Sequence, residues 1–249
     1  MIPLRDNIPT RRFPVVCVTL IALNVIAYIM DHLVLRETRI ALVQTRIGLV
    51  EVQTAVGGLS ERYAMVPALV TAAFPEVWFT VLTSMFLHAN LLHIGGNMLY
   101  LWVFGNNIED ALGRVQFIVF YLAGGALAAA AHIASGPGSD IPAVGASGAV
   151  AAVMGAYLLL YPNAAVLAVV PIFFIGTLME VPALLVIGFW ALVQFANAQW
   201  FGGGELRGGG VAYFAHLGGF LAGLLIVAML GGRRLVRRQR ARREQRGDW

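Results

Sequence analysis

The stretch GASGAVAAVMGAYLLLY, residues 145–161, holds no charged residue and opens on a serine flanked by small residues. As a helix from Ser147 to Tyr161 it covers only about 21 Å at 1.5 Å per residue, short of the roughly 30 Å of bilayer hydrocarbon. With its far end at one membrane surface, Ser147 lies below the other. A hydroxyl at that depth needs a partner or a task. The preceding loop, rich in glycine, proline and serine, then lines a water-accessible hollow, a setting in which non-helical backbone persists inside a membrane. A serine so placed is also a good helix N-cap, and that bland reading stands beside the catalytic one.

The composition around this stretch agrees with a lipid solvent. Hydrophobic residues make up 59% of the 249 and charged residues 12%, with a mean hydropathy of +0.78, which excludes an ordinary water-soluble domain. Apolar runs near residues 13–32, 90–105, 115–134, 147–161, 182–201 and 211–231 read as six spans of one all-α integral membrane domain, residues 13–231. A short cytoplasmic segment, residues 1–12, precedes the domain, and a basic cytoplasmic tail, residues 232–249, follows it. The first run is long and lacks a small-residue cleavage site, so it reads as an anchor and not as a signal peptide.

Arginines set the orientation. Arg5, Arg11 and Arg12 precede the first span and a cluster from Arg233 to Arg246 follows the last, which predicts that both termini are cytoplasmic. The pI of about 9.6 comes largely from that tail, which has no interleaved aromatics. Membrane lipid, and not nucleic acid, is the expected partner. Residues 164–178 are apolar but interrupted by Pro171, and a seventh span would export the tail. They therefore read as a cytoplasmic-side interfacial or partly buried segment. The long connection at about 36–78 mixes charges with spaced apolar residues and is expected along the outer interface. The lone cysteine, Cys17, excludes an intramolecular disulfide.

Four polar residues at depth carry the chemistry: His93, Asn97, Ser147 and His216. His216 lies five residues into the sixth span, roughly 8 Å below its outer end, which matches the depth of Ser147. Gly219 and Gly223 make a small-residue face one turn below the histidine, and Gly148, Ala152 and Gly155 or Ala156 make another below the serine. Two such faces let helices touch, bringing a nucleophile and its general base together inside a dry wall. His93 and Asn97 stand four apart on one helical face, near the serine's depth, where they can donate to an oxyanion. The alternative for each is a simple hydrogen bond to neighbouring backbone. His88 reads as structural, and His32 and His132 as solvated or snorkelling side chains near span ends.

These residues carry a resemblance to the rhomboid intramembrane serine proteases of bacteria. Met85-Phe86-Leu87-His88 runs into His93-Ile94-Gly95-Gly96-Asn97, Glu109-Asp110 follows the second span, and Gly145-Ala146-Ser147-Gly148 and Ala215-His216 with Gly219 and Gly223 come in order. The resemblance implies a six-helix bundle whose short fourth helix starts at the buried active-site serine. It implies a serine endopeptidase that cuts the transmembrane segments of other membrane proteins, with Ser147 as nucleophile and His216 as base. His93, Asn97 and the Ser147 backbone amide stabilise the oxyanion, and Gly145, Gly148, Gly219 and Gly223 pack around the dyad. No metal, cofactor or acidic third member is implied, and the membrane is that of a bacterial cell.

Two departures stand out. Many relatives carry an aromatic residue one turn below the serine, where this chain has Ala151, so another side chain must support the His216 ring. The tryptophan-arginine pair of the first outer loop is replaced by Trp78-Phe79-Thr80. The glycines at 202–204 and 208–210 suit a lid before the sixth span, or an ordinary flexible loop. Two other classes share parts of this pattern: a catalytically silent client-binding relative, which typically lacks the serine or the histidine, and a small transporter. Against the transporter, the chain shows no repeated halves and no carboxylate beside the intramembrane histidines.

Overall fold

A computed structural model describes residues 1–45, 48–172, 175–201 and 212–237. It places a helix on each of the six apolar runs. The first is α1, Val15–Ile29, extended by a π-helical turn, Met30–Val34. After the outer connection come α6, Leu91–Tyr100, a second π-helical stretch, Leu101–Gly105, and α7, Asn106–Leu112. Next are α8, Arg114–Ser135, and α9, Ser147–Leu160, then α10, Ala183–Phe201, and α11, Tyr213–Met229. Three helical segments, Val15–Val34, Arg114–Ser135 and Ala183–Trp200, are individually long and apolar enough to cross a bilayer; α9 and α11 are shorter.

Outward-facing residues on these helices are apolar: Leu23, Ile26 and Ile29 on α1, Val115 and Val119 on α8, and Leu221, Leu225 and Met229 on α11 are all exposed. A surface of that kind is stable only against lipid. Inside, α8, α9 and α11 pack on one another. Small residues make this possible: a Cβ added at Gly124 would lie 2.6 Å from Ala152 Cβ, and one at Gly148 would lie 2.6 Å from Ala128 Cβ.

Two β elements interrupt the helical plan, and neither is visible in the apolar periodicity. Within the 164–178 segment, expected as interfacial or partly buried on the cytoplasmic side, lie a strand β4, Ala165–Ile172, and the start of a second, β5, Ile175–Pro182, which pair antiparallel. The N-terminal strand β1, Ile2–Asp6, pairs antiparallel with β4, so the sheet order is β1-β4-β5. Pro3, Val166, Ala168 and Val181 face inward. At the inner end of α9, Asp6 Oδ2 accepts from Tyr157 Oη at 2.5 Å and from Asn107 Nδ2 at 2.6 Å. Burial raises the Asp6 carboxyl above its ordinary range, against the lowering effect of its bonds from Tyr157 and the Ile8 N–H.

On the opposite face the 36–78 connection forms a second hairpin, β2, Arg36–Thr45, with β3, Gly48–Gly57. Short helices follow: α2, Leu59–Tyr63, α3, Pro67–Ala72, α4, Phe74–Val77, and α5, Thr80–Thr83. This loop is tied down without a tryptophan-arginine pair. Met65 and Ala143 exchange backbone hydrogen bonds of 3.1 and 2.7 Å, Ala68 N–H reaches Ser139 O at 3.0 Å, and Thr83 Oγ1 donates to Tyr63 O at 2.8 Å. The buried Asp31 carboxylate accepts from both the backbone N–H and the hydroxyl of Ser60, pinning the connection to the end of α1.

Glu109 joins the first two spans. Its carboxylate accepts from Val16 N–H at 3.1 Å and Cys17 N–H at 2.8 Å, satisfying two of the orphan donors at the start of α1, where Pro14 offers no side-chain cap. Arg11 closes the junction from outside, with its guanidinium 3.7 Å from Asp110. The π-helical stretch leaves the Leu101 carbonyl free to accept from Cys17 Sγ at 3.3 Å. Replacing Glu109 with Ala strands both buried N–H groups and is expected to cost about 2 kcal/mol, lowering the midpoint of thermal unfolding in detergent by several degrees. Glu109→Gln, which keeps one acceptor, should lose about half as much.

Candidate active site

Ser147 is the first residue of α9, while the cap position belongs to Ala146 and no side chain caps the helix. The hydroxyl is therefore not spent on the helix end. Gly145 holds a left-handed backbone at φ +128° and its N–H donates to Ser84 O at 2.9 Å. A Cβ there would stand 2.7 Å from His93 Cε1, 2.8 Å from His93 Nε2 and 3.6 Å from Ser147 Oγ. Only glycine lets the His93 ring lie this close to the backbone leading into the serine.

The second span presents its polar residues from one face. Asn90 caps α6 by accepting from His93 N–H at 2.9 Å. His93 Nδ1 accepts from Ala89 N–H at 3.5 Å, which puts the proton of the neutral ring on Nε2, the nitrogen beside Gly145. Asn97, one turn further along, is buried, and its Nδ2 has no hydrogen-bond partner among the described residues. An orphaned buried donor is costly unless an acceptor arrives during function.

His88 is fully buried, its Nε2 accepts from Ala146 N–H at 3.5 Å, and its ring meets His93 edge-on at 5.0 Å between centroids. Burial, reinforced by His93, pushes His88 down to about 3, so the ring stays neutral and remains an acceptor. It supports the loop before Ser147, as its sequence position suggested. His32 stacks on Tyr28 at 4.2 Å, and its Nε2 lies 3.2 Å from Ala89 O. His132 is partly buried near the end of α8.

His216 is buried on α11. Its Nδ1 stands 2.8 Å from Oε1 of Gln194 on α10. Trp190, one turn earlier on α10, lays its indole beside the imidazole with centroids 5.8 Å apart and packs on Phe220 at 6.3 Å. The aromatic support missing at Ala151 thus arrives from a different helix. Sequence reasoning overlooked both residues, although a polar amide inside the fifth apolar run is the same kind of signal that singled out Asn97.

The serine and histidine helices touch backbone to backbone. A methyl on Gly219 would collide with the Gly148 carbonyl, one on Gly223 with the Ala152 carbonyl, and one on Gly155 with the Phe220 carbonyl. Among the described residues no direct hydrogen bond joins Ser147 Oγ to the imidazole; the two groups stand on adjoining turns of touching helices. Beside the serine lies a cavity of about 40 Å³, lined by Ser84, Met85, His132, Gly145, Ser147 and Ala215 among others. A space of that size is large enough for a water molecule, with Ser84, His132 and Ser147 supplying polar groups on its wall. The glycine-rich loop 202–210 lies outside the described residues, as does most of the arginine tail.

Comparison with known proteins identifies the family. The Rhomboid domain model matches residues 75–233, and the chain belongs to the rhomboid family. Rhomboid protein 1, mitochondrial, of Saccharomyces cerevisiae is 33% identical over 177 residues, 68% of this chain and 46% of the yeast protein. Rhomboid protease GluP of Bacillus subtilis is 31% identical over 157 residues, 62% of this chain and 26% of its own length. Presenilin-associated rhomboid-like protein A, mitochondrial, of Danio rerio is 34% identical over 100 residues, 39% of this chain and 25% of that protein. The chain therefore spans less than half the length of these relatives. They are mitochondrial as well as bacterial, so the resemblance narrows to the family and not to its bacterial members.

The glycine contacts can be tested by substitution. Gly223→Ala and Gly219→Ala each drive a methyl into a carbonyl and are expected to destabilise by about 1–3 kcal/mol. Gly95→Ala, where an added Cβ meets nothing within 4 Å, should leave the unfolding midpoint unchanged within a degree or two. Thermal unfolding of the three variants in the same detergent decides the matter.

Proposed function

We propose that the chain is an intramembrane serine endopeptidase that hydrolyses peptide bonds in or near the transmembrane segments of other membrane proteins, using Ser147 and His216. The observation that supports this reading is a serine not used as a cap, with the His93 ring against the backbone leading into it and a buried histidine on the touching helix; Asn97, one turn along α6 from His93, adds a partnerless amide donor. Membership of a family that includes a named protease supports it. The six helices read as six spans, and the arginine distribution favours both ends of the chain on the cytoplasmic side of the membrane.

The chemistry follows from the hydrogen-bond roles. Because Gln194 Oε1 can only accept, Nδ1 of His216 carries the ring proton, leaving Nε2 unprotonated toward the serine side. Nε2 takes the Ser147 proton as Oγ attacks a peptide carbonyl, and an acyl-enzyme forms as the amine leaves with that proton. The developing oxyanion accepts from His93 Nε2–H, Asn97 Nδ2–H and the Ser147 amide, donors already in place when charge appears. Water from the cavity beside Ser147 then hydrolyses the ester.

A substrate span enters beside α10, where Leu184, Leu185, Phe189, Leu192, Phe195 and Trp200 are all exposed. Unwinding it costs backbone hydrogen bonds in lipid, so glycine and other weak helix formers near the outer surface mark preferred sites.

In proteoliposomes with a single-span model substrate, product should appear with the wild type and be lost in Ser147→Ala and His216→Ala. Equal cleavage by all three would refute the dyad. Absence of product from the wild type together with failure to label by a serine-directed phosphonate would favour a client-binding relative. Asn97→Ala should lower kcat on the order of 100-fold with KM little changed, as measured by initial rates in the same vesicles.

A further inference from the structure

We infer that Gln194 is a positioning residue for His216, a neutral counterpart of the acid that completes a three-residue serine-protease array, and that it is delivered by the lipid-facing wall helix α10. This inference rests on the dyad reading above and extends it by one residue.

The geometry allows one polarity for the contact. An amide oxygen is an acceptor only, so a 2.8 Å approach to Nδ1 requires the proton on that nitrogen. The neutral imidazole then has Nε2 as its single lone pair. Without this acceptor the two tautomers compete, and the one with hydrogen on Nε2 is inert as a base toward Ser147.

Other restraints on the ring do not choose between tautomers. Trp190 presents its face at 5.8 Å and 38°, which restricts tilt but offers no acceptor. Ala151 has no side-chain polar atom, and no carboxylate is within salt-bridge reach of His216 among the described residues. Gln194 is the group that makes the choice. It also makes this choice from α10, whose Trp190 and Gln194 lie one turn apart and share the face turned to α11, while Leu192 and Phe195 face lipid. An amide achieves this without a buried charge, which would be costly on a helix bordering hydrocarbon.

The test compares Gln194→Leu with Gln194→Glu in proteoliposomes, using substrate cleavage and the rate of Ser147 labelling by a small fluorophosphonate, which needs no peptide binding. Loss of the acceptor in Gln194→Leu is expected to lower kcat and slow labelling by about tenfold or more, with KM within about twofold of wild type. Gln194→Glu retains an acceptor at the same reach and should exceed Gln194→Leu on both readouts. A wall-packing role predicts the reverse order, because leucine suits the helix and a carboxylate does not. The inference is overturned if Gln194→Leu equals wild type, if it raises KM with kcat unchanged, or if Gln194→Glu is the poorer of the two. Failure of the underlying protease reading looks different: wild type and Ser147→Ala would then be equally unlabelled.

Discussion

The carbonyl of Gly148 occupies the place that a methyl on Gly219 would take, and the carbonyls of Ala152 and Phe220 do the same for Gly223 and Gly155. Three backbone contacts along two turns bring α9 and α11 as near as two helices can come. In lipid, where burying apolar surface between helices gains little over contact with acyl chains, close packing of this kind supplies much of the cohesion. Everything else in the candidate site is placed by it. The start of α9 sets Ser147, and the adjoining turn of α11 sets His216. The third helix of the core, α8, holds the pair together through Ala128, against which Gly148 packs.

Around that contact the polar groups sort by whether they are satisfied. Glu109 and Asp31 are buried and Asp6 is half-buried, and each carboxyl group accepts hydrogen bonds from neighbouring backbone or side chains. They hold span ends and loops. At the other end of the bundle the His93 ring lies against the Gly145 backbone that leads into Ser147, and the buried Asn97 amide, one turn along α6, has a donor without a partner among the described residues. The contrast fits a scaffold whose structural carboxylates are engaged at helix ends and loops while the Asn97 amide keeps a donor to spare.

Much of this was legible in the chain itself. Hydrophobic runs gave six helices within a few residues, because hydrocarbon thickness and helical rise leave little freedom. The paired faces Gly148/Ala152 and Gly219/Gly223 were readable because only small residues permit such contact. The β hairpins were not legible. Residues 165–182 are apolar on both faces, so they lack the alternation that marks a half-buried strand, and their pairing with Ile2–Asp6 is a long-range event with no local signature. Trp190 and Gln194 escaped for a related reason: in a helix that is apolar all round, no periodicity tells which face turns inward. Substitution of Ala151 announced that a support was needed without telling which helix would provide it.

The sheet formed by β1, β4 and β5 bears on the order in which the molecule can assemble. Its first strand is made ahead of α1, whereas the strand that receives it follows on the order of 160 residues later, a separation that makes pairing slow and late. Until then Asp6 has neither Tyr157 nor Asn107 to meet. The leading strand therefore waits, its backbone unpaired, while the helices from α1 to α9 form, and its closure over the end of α9 records that those helices have arrived in register.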